Sequence, residues 1–330
     1  MRRWSVNLAE ENWRDAPQAS EVVQTLLDGE LAAIPTETVY GLSADATNPL
    51  ACAKVFSAKG RPQFNPLISH VASLDAARKH GEFNAQALKL AEKFWPGPLT
   101  LVVPKKTTSP ICDLATAGLQ TVALRVPAGP IMRLLSEKGG IPIAAPSANI
   151  SGRISTTTAD AVAADLSSAL GYLVDAGPCP VGIESTIVSC VEDNPRLLRP
   201  GGISREALEN ILGRPLEGAA ESKTPAAPGM LASHYAPAAK VRLNAKDVRP
   251  GEALLSFGAD RLPSADKAIA EINLSVSEDL TEAAARLFAS LRELDNSQTE
   301  TICVQKIPEC GLGEAINDRL QRAAAPRPAQ

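Results

Sequence analysis

The chain has 330 residues, a formal net charge of -4 and 21% charged residues. A single core rarely grows beyond roughly 250–300 residues, so two domains are expected. Lys plus Arg number 33 against 37 Asp plus Glu, which argues against a protein that holds nucleic acid mainly by charge. The N-terminus acquires acids before any apolar run develops, and no stretch is long and apolar enough to span a bilayer, so a cytoplasmic, membrane-free protein is the expectation. Six scattered cysteines without a C-x-x-C pair, and only three histidines, make a structural zinc site improbable.

In chain order, Val22, Val23, Leu26 and Leu27 line one face of a helix that stops near Gly29. Residues 31–34 read as a strand that Pro35 ends. A helix follows over 50–58, a strand over 66–71 and a helix over 85–94 that Trp95-Pro96-Gly97-Pro98 breaks. Strands are expected over 99–103, 121–126, 141–144, 184–190 and 196–198, then a helix from Ser204 or Arg205 to about Gly213. Some neighbouring strands are close enough to be antiparallel, so the fold class is α/β, with a twisted mixed parallel/antiparallel sheet and flanking helices.

Residues 216–238 lose apolar periodicity and read as an extended linker between a catalytic domain, 1–215, and a small domain, 239–323. The small domain carries strand candidates over 241–243, 253–257, 269–274 and 302–305, and amphipathic helices over 280–294 and 314–322. The Ala, Pro and Arg-rich tail, 324–330, is expected to be disordered.

Five stretches carry chemistry. Pro35-Thr-Glu-Thr-Val-Tyr-Gly41 sets two hydroxyls, a carboxylate and a phenol just after a strand, where open α/β sheets bind ligands; it also fits an ordinary capping turn. Lys54, Lys59 and Arg61 gather without a nearby acid, the last two beside a Pro-stiffened loop suited to polyphosphate; a solvated basic loop is the alternative. Thr121, Ala123 and Arg125 share one strand face, and Arg125 at the strand end can clamp a carboxylate. The run Ala144-Ala-Pro-Ser-Ala-Asn-Ile-Ser-Gly152, continuing to Ser155, leads a small-residue strand into a hydroxyl-rich turn that lets a ligand approach backbone N–H groups. Gly177 to Ile187 shapes a loop delivering Glu184, Ser185 and Thr186 into a strand. No P-loop, dinucleotide-binding glycine motif or nucleophile elbow is present. The residues by themselves describe a cleft for a small anionic ligand such as a nucleotide.

Together, PTETVYGL, AKGRPQFNPLISHV, FWPGPLTLVVP, TVALRVP, IAAPSANISG, GPCPVGIESTIV and LRPGGIS resemble the YrdC/Sua-type threonylcarbamoyl-AMP synthases over about residues 20–213. PGMLASHYAP and the part beyond it resemble the long, two-domain form of that family. The resemblance implies a YrdC-like catalytic fold with a smaller C-terminal α/β Rossmann-like domain. It implies that L-threonine, bicarbonate and ATP give L-threonylcarbamoyladenylate and pyrophosphate, the first step of a tRNA modification beside the anticodon. It further implies Mg2+ carried with ATP, a downstream threonylcarbamoyl transferase complex as partner and only indirect contact with tRNA.

By the same resemblance, Thr38, His70, Arg125, Ala145 and Ser185 fall at threonine-binding positions. Lys59, Arg61, Asn65, Thr121, Ser147, Ser155, Arg199 and Tyr235 fall at or beside ATP-contacting positions. No residue reads as a covalent nucleophile, so catalysis would be positioning and charge stabilisation. Thr156 stands where many members have Pro, which is expected to loosen that turn. Two other readings are a carbamoyl phosphate-using relative, which usually carries zinc segments absent here, and a non-enzymatic RNA-binding module, which 4% aromatic content disfavours.

Overall fold

Residues 1–10, 12–62, 64–218 and 234–326 are described by a computed structural model of the chain. The first part contributes strands β1 (Arg2–Ser5), β2 (Ala32–Pro35), β3 (Tyr40–Asp45), β4 (Ile68–His70), β5 (Leu99–Pro104), β6 (Thr121–Arg125), β7 (Ile143–Ala144), β8 (Tyr172–Asp175), β9 (Thr186–Ser189), β10 (Arg196–Arg199) and β11 (Glu217–Gly218). They form one 11-stranded sheet in the order β1-β8-β2-β3-β7-β4-β6-β5-β9-β10-β11. Its pairing is mixed: β2–β3, β3–β7, β4–β7, β5–β6 and β9–β10 are antiparallel, while β4–β6 and β5–β9 are parallel.

The helices of this part are α1 (Pro17–Leu27), α2 (Pro49–Lys59), α3 (Leu74–Arg78), α4 (Ala85–Phe94), α5 (Asp113–Thr116), α6 (Pro130–Gly139), α7 (Ala159–Leu166) and α8 (Arg205–Leu212). Strand alternation divides their packing. Ala32 and Ile34 of β2 face α1 and α6, in a cluster with Val22, Leu26, Ile131 and Leu135. Ala33 between them, with Leu42 and Ala44 of β3, faces α2, α4 and α8. Side-chain caps fix several helix starts: Asn48 accepts from Leu50 N at 2.9 Å before α2, and Ser204 accepts from Ala207 N at 3.3 Å before α8. Gly60 ends α2 with φ +59°, a left-handed turn open to glycine at no steric cost.

Strand β3 was not expected from the sequence. Gly41, Ser43 and Ala44 have low strand propensity, but pairing on both edges, with β2 and β7, overrides it. The interval between β6 and β7 contains α6, which the strand pattern had left unassigned.

The second sheet, β12 (Lys240–Ala245), β13 (Glu252–Ser256), β14 (Glu271–Asn273) and β15 (Thr301–Gln305), is wholly parallel in the order β12-β15-β13-β14. Helices α9 (Leu280–Asp295) and α10 (Gly313–Ala324) cover it. Helix α10 runs to Ala324, one residue into the expected tail, and residues 327–330 lie outside the described residues. Most of the expected linker, 219–233, also lies outside them; at its described ends β11 pairs with β10, and His234 and Tyr235 are buried.

The two parts share a core. Val39, Ile154 and Ile183 from the first pack with Tyr235, Phe288 and Leu291. At Gly182 a Cβ would come within 2.4 Å of the Ala285 backbone, so α9 lies directly on that loop. Arg292 donates to both carboxylate oxygens of Asp165 at 3.1 and 2.8 Å and to Ile154 O at 2.5 Å.

Candidate active site

A partly enclosed cavity lies where β2–β3, β4, β6, the 145–147 turn and the 184–185 segment converge under His234 and Tyr235. Its floor follows from register: Ile68 pairs with Ala123 and His70 with Arg125, so all four point to one sheet face. Gly41 lets the strands close: a Cβ there would come within 2.9 Å of the Ala145 Cβ.

At one end Arg125 is held on three sides. Its Nε donates to Gly97 O at 3.2 Å, Nη1 to Thr38 Oγ1 at 2.9 Å and Nη2 to Glu37 Oε1 at 2.6 Å. Glu37 Oε2 accepts from Gly129 N at 3.0 Å. Burial pushes the Glu37 carboxyl up, but Arg125 and the Gly129 N–H outweigh it and hold it below the usual range. Thr36 and Thr38 share a hydroxyl hydrogen bond of 2.8 Å, and Ser185 shares one of 2.7 Å with Thr100. His70 is driven down to about 3 by burial and then by Arg125, so its ring is neutral. Its Nδ1 is buried without a partner. The Ala145 N–H is bonded to Ile68 O at 3.0 Å, so Ala145 can meet a ligand only through its carbonyl or methyl.

At the other end are the cations. Lys59 donates to Ser147 O at 2.5 Å and to Asn149 O. Arg61 donates to Asn65 O at 3.2 Å and to Pro66 O at 3.1 Å. Burial, then Arg61, lowers the Lys59 ammonium well below its ordinary value; burial, then Arg199, brings Arg61 down to about 10. Arg199 donates through Nε and Nη2 to Ser185 O at 3.2 and 2.9 Å, tying this end to the first. Both amide atoms of Asn65 are buried without a partner beside Arg61. Ser147 Oγ lies 2.5 Å from Asn149 Oδ1. Such a buried surplus of positive charge suits an anion.

Arg319 was not singled out by the sequence, and Glu184 was named there only as part of the 177–187 loop, without a binding role. Glu184 accepts from Ser155 Oγ at 2.6 Å and from Arg319 Nε at 2.8 Å. Arg319 comes from α10, is fully buried, donates to Pro200 O at 2.9 Å and lies 5.2 Å from the Tyr235 ring centroid. Burial raises the Glu184 carboxyl, but Arg319 and Arg199 bring it down to about 2. A signal existed for Arg319: it shares a buried helix face with Ile316, Leu320 and Ala323.

Of the expected residues, Thr38, His70, Arg125, Ala145, Ser147, Ser185, Arg199 and Tyr235 line the cavity. Lys59, bonded to Ser147 O, and Ser155, bonded to Glu184, adjoin it; Arg61 is bonded to Asn65 O and lies within electrostatic reach of the lining residues Arg199 and Tyr235. Thr121 is half-buried at the far end of β6, pairs with Pro104 and does not line it. Two expectations are corrected. Lys54 does not join the cation cluster: its Nζ reaches Glu30 at 2.7 Å on the surface, an acid distant in sequence. Thr156 does not loosen its turn: it is buried, and its hydroxyl donates to Ala148 O at 3.1 Å.

Comparison with known proteins decides the family. The Sua5/YciO/YrdC family profile, described as "Telomere recombination", matches residues 24–201. The profile described as "Threonylcarbamoyl-AMP synthase, C-terminal domain" matches 203–325. The threonylcarbamoyl-AMP synthase of Bacillus subtilis is 39% identical, with 99% of this chain and 98% of that protein aligned. The chain belongs to the Sua5/YrdC family of threonylcarbamoyl-AMP synthases, in its long two-domain form. The namesake from Pyrococcus abyssi is also 39% identical, over 91% of this chain and 92% of that protein. A crystal structure of P. abyssi Sua5 complexed with L-threonine superposes with a TM-score of 0.88 at 35% identity, covering 98% of each chain. E. coli YciO, at 16% identity and a TM-score of 0.53 over 61% of this chain, shares the fold.

Proposed function

We propose that this Sua5/YrdC-family chain makes L-threonylcarbamoyladenylate from L-threonine, bicarbonate and ATP. The observation that carries this is the joining, in one cavity, of an arginine–hydroxyl pocket to a buried cation cluster. Support comes from the synthases of the same family and from the threonine-bound P. abyssi structure.

The threonine carboxylate meets Arg125, and its amine and hydroxyl lie among Thr36, Thr38, Ser185 and the Ala145 carbonyl. Carbon dioxide from bicarbonate joins the amine nitrogen as a proton leaves, giving an N-carboxy-threonine. A carbamate oxygen then attacks the α-phosphorus of ATP, the bond to the bridging oxygen breaks, and pyrophosphate departs. Lys59, Arg61 and Arg199 balance the charge on phosphate oxygens in a poorly hydrated setting, where such contacts act most strongly. The neutral rings of His70 and His234 add no charge. No side chain forms a covalent bond; the protein aligns two substrates and excludes water.

Among the described residues no group of three or more His, Cys, Asp or Glu could hold a metal. Mg2+ is expected to come with the nucleotide, where it would neutralise phosphate charge. The product's labile mixed anhydride suits direct use by a threonylcarbamoyl transferase acting on tRNA. Among the described residues no helix is long and apolar enough to cross a membrane.

The test is threonine-dependent release of pyrophosphate with labelled bicarbonate and ATP. Label should appear in an adenylate that hydrolyses to AMP, threonine and labelled carbon dioxide. Pyrophosphate release indifferent to threonine would overturn the assignment.

A further inference from the structure

Six cysteines are spread along the chain, and among the described residues two of them touch. Cys52, in the first turns of α2, is fully buried; Cys112, immediately before α5, is half-buried. Their Sγ atoms are 3.7 Å apart, although 60 positions separate them in sequence. Cys52 Sγ also lies 3.6 Å from Asp45 O, and Cys112 N donates to Ala46 O at 2.9 Å, so both are referred to the end of β3. A disulfide needs about 2.05 Å between sulfurs and a defined dihedral, so closure draws α2 and α5 toward each other.

We propose that Cys52 and Cys112 form an oxidisable dithiol, a modification site for peroxide behind the nucleotide loop. Cys112 is the half-buried member and attacks first. Its thiolate sulfur takes one peroxide oxygen, the O–O bond breaks, and the other oxygen leaves as water after protonation, giving a sulfenic acid. Cys52 sulfur then attacks the sulfenyl sulfur, its proton goes to the departing hydroxyl, and a second water leaves as the S–S bond forms. Two thiols and one hydrogen peroxide thus give one disulfide and two waters, with two electrons passing to the peroxide. The hydrogen bond between the two sulfurs supports this order of events by holding the Cys112 thiol down, to about 6, against burial, which raises it. Cys52 is pushed up by that bond and by burial, so it is the protonated partner.

The location gives the modification a consequence at the proposed ATP site. Helix α2 runs from Cys52 to Lys59 and, past Gly60, to Arg61. Helix α5 holds the other end of the 60–67 loop, because Ala115 O accepts from Leu67 N at 2.8 Å. Drawing the two sulfurs together therefore displaces the loop carrying Arg61 and Asn65 while Arg125, Glu37 and Thr38 keep their own bonds. This consequence, though not the chemistry, rests on the proposed function.

The experiment treats the full, reduced protein with hydrogen peroxide, then measures intact mass and maps linked peptides. The expected product is lighter by the two hydrogens lost, links the Cys52 and Cys112 peptides and is restored by dithiothreitol. In C52A, a dimedone adduct should accumulate on Cys112; in C112S, neither adduct nor link should form at this pair. A linkage through other cysteines, or no linkage while Cys310 oxidises freely, overturns the proposal. Calorimetry should show ATP binding several-fold weaker in the oxidised protein and threonine binding unchanged; equal ATP affinity in both states overturns the coupling to the loop. The linkage is read without turnover, so it stands or falls separately from the synthase assignment.

Discussion

The two ends of the cavity handle buried charge in opposite ways. At the Arg125 end, one guanidinium meets one carboxylate: Arg125 and Glu37 are 2.6 Å apart, both nearly excluded from water. At the Lys59 end, the ammonium and the Arg61 guanidinium are bonded to carbonyl oxygens. Arg199 bonds Ser185 O, and Glu184 is engaged by Arg319. The first end is balanced and rigid before substrate arrives; the second carries a charge surplus that an incoming polyphosphate relieves. Preorganised geometry suits an amino acid recognised by shape and hydrogen bonds, whereas stored positive charge suits the stabilisation of a transferring phosphoryl group.

The contrast is broken most severely at the balanced end. Replacing Glu37 with Ala strands a buried guanidinium, a change that costs about 3–5 kcal/mol of stability. Urea unfolding should show that loss, and threonine affinity should fall with it as Arg125 loses the carboxylate that the Gly129 N–H holds in place. A midpoint unchanged in Glu37→Ala would mean that the two residues are not the closed pair described here.

At the surplus end, stability is not the readout. On the proposed function, Lys59→Ala removes a cation from the phosphate end and should lower kcat by roughly 10²–10³-fold, with threonine binding retained. A loss in threonine affinity as large as the loss in kcat would erase the distinction between the two ends. Glu184 sharpens the same point. Arg319→Gln leaves Glu184 to draw Arg199 and Lys59 away from nucleotide, so the KM for ATP should rise about tenfold, near 1.4 kcal/mol. Adding Glu184→Gln removes the competing charge and should recover part of that loss, a coupling that a double-mutant cycle measures. A double variant no better than Arg319→Gln would make Arg319 a purely structural link between the sheets.

The pH dependence of stability separates charged from neutral burial. His70 and His234 are each held down to about 3, from an ordinary 6.5. Below pH 6.5 the unfolded chain binds protons that the folded chain refuses, so stability falls steadily between pH 6.5 and 3, by at most about 1.4 kcal/mol per pH unit for each ring. Glu37 and Glu184 act lower. Their folded values are depressed, so they stabilise above the ordinary carboxylate range and lose that contribution as pH falls through it, for Glu184 toward about 2. His70→Gln should flatten the upper part of the profile; an unaltered slope above pH 5 would show that His70 does not carry it.

Much of this arrangement is legible in sequence, but unevenly. The ligand-bearing turns stand out because Gly, Pro and hydroxyl residues have few other reasons to cluster, and Ser204, Gly60 and Gly213 mark helix ends by local chemistry alone. Strand order does not stand out. Tyr40–Asp45 becomes a strand because β2 and β7 pair with its two edges, and β7 comes from a hundred positions downstream. Glu37 looks like one carboxylate in a polar turn until Arg125 is brought to it from 88 positions away. Arg319 could have been noticed on the apolar face of its helix, but its partner Glu184 lies 135 positions earlier and nothing local joins them. Charge partners set by tertiary contact are the part that local patterns miss.

Lys54 shows the same limit from the other side and gives the mildest test. Counting basic residues near Lys59 places it in the phosphate cluster; the structure turns it outward to Glu30 at 2.7 Å, with both side chains about half exposed. An exposed pair of this kind contributes roughly 0–1 kcal/mol. Lys54→Ala should therefore leave the KM for ATP unchanged and the unfolding midpoint nearly so. Because Lys54 and Lys59 lie on the same helix, five positions apart, a drop in ATP affinity comparable to that of Lys59→Ala would mean that nearness in sequence, not the burial and carbonyl contacts that single out Lys59, decides which cation meets the phosphates.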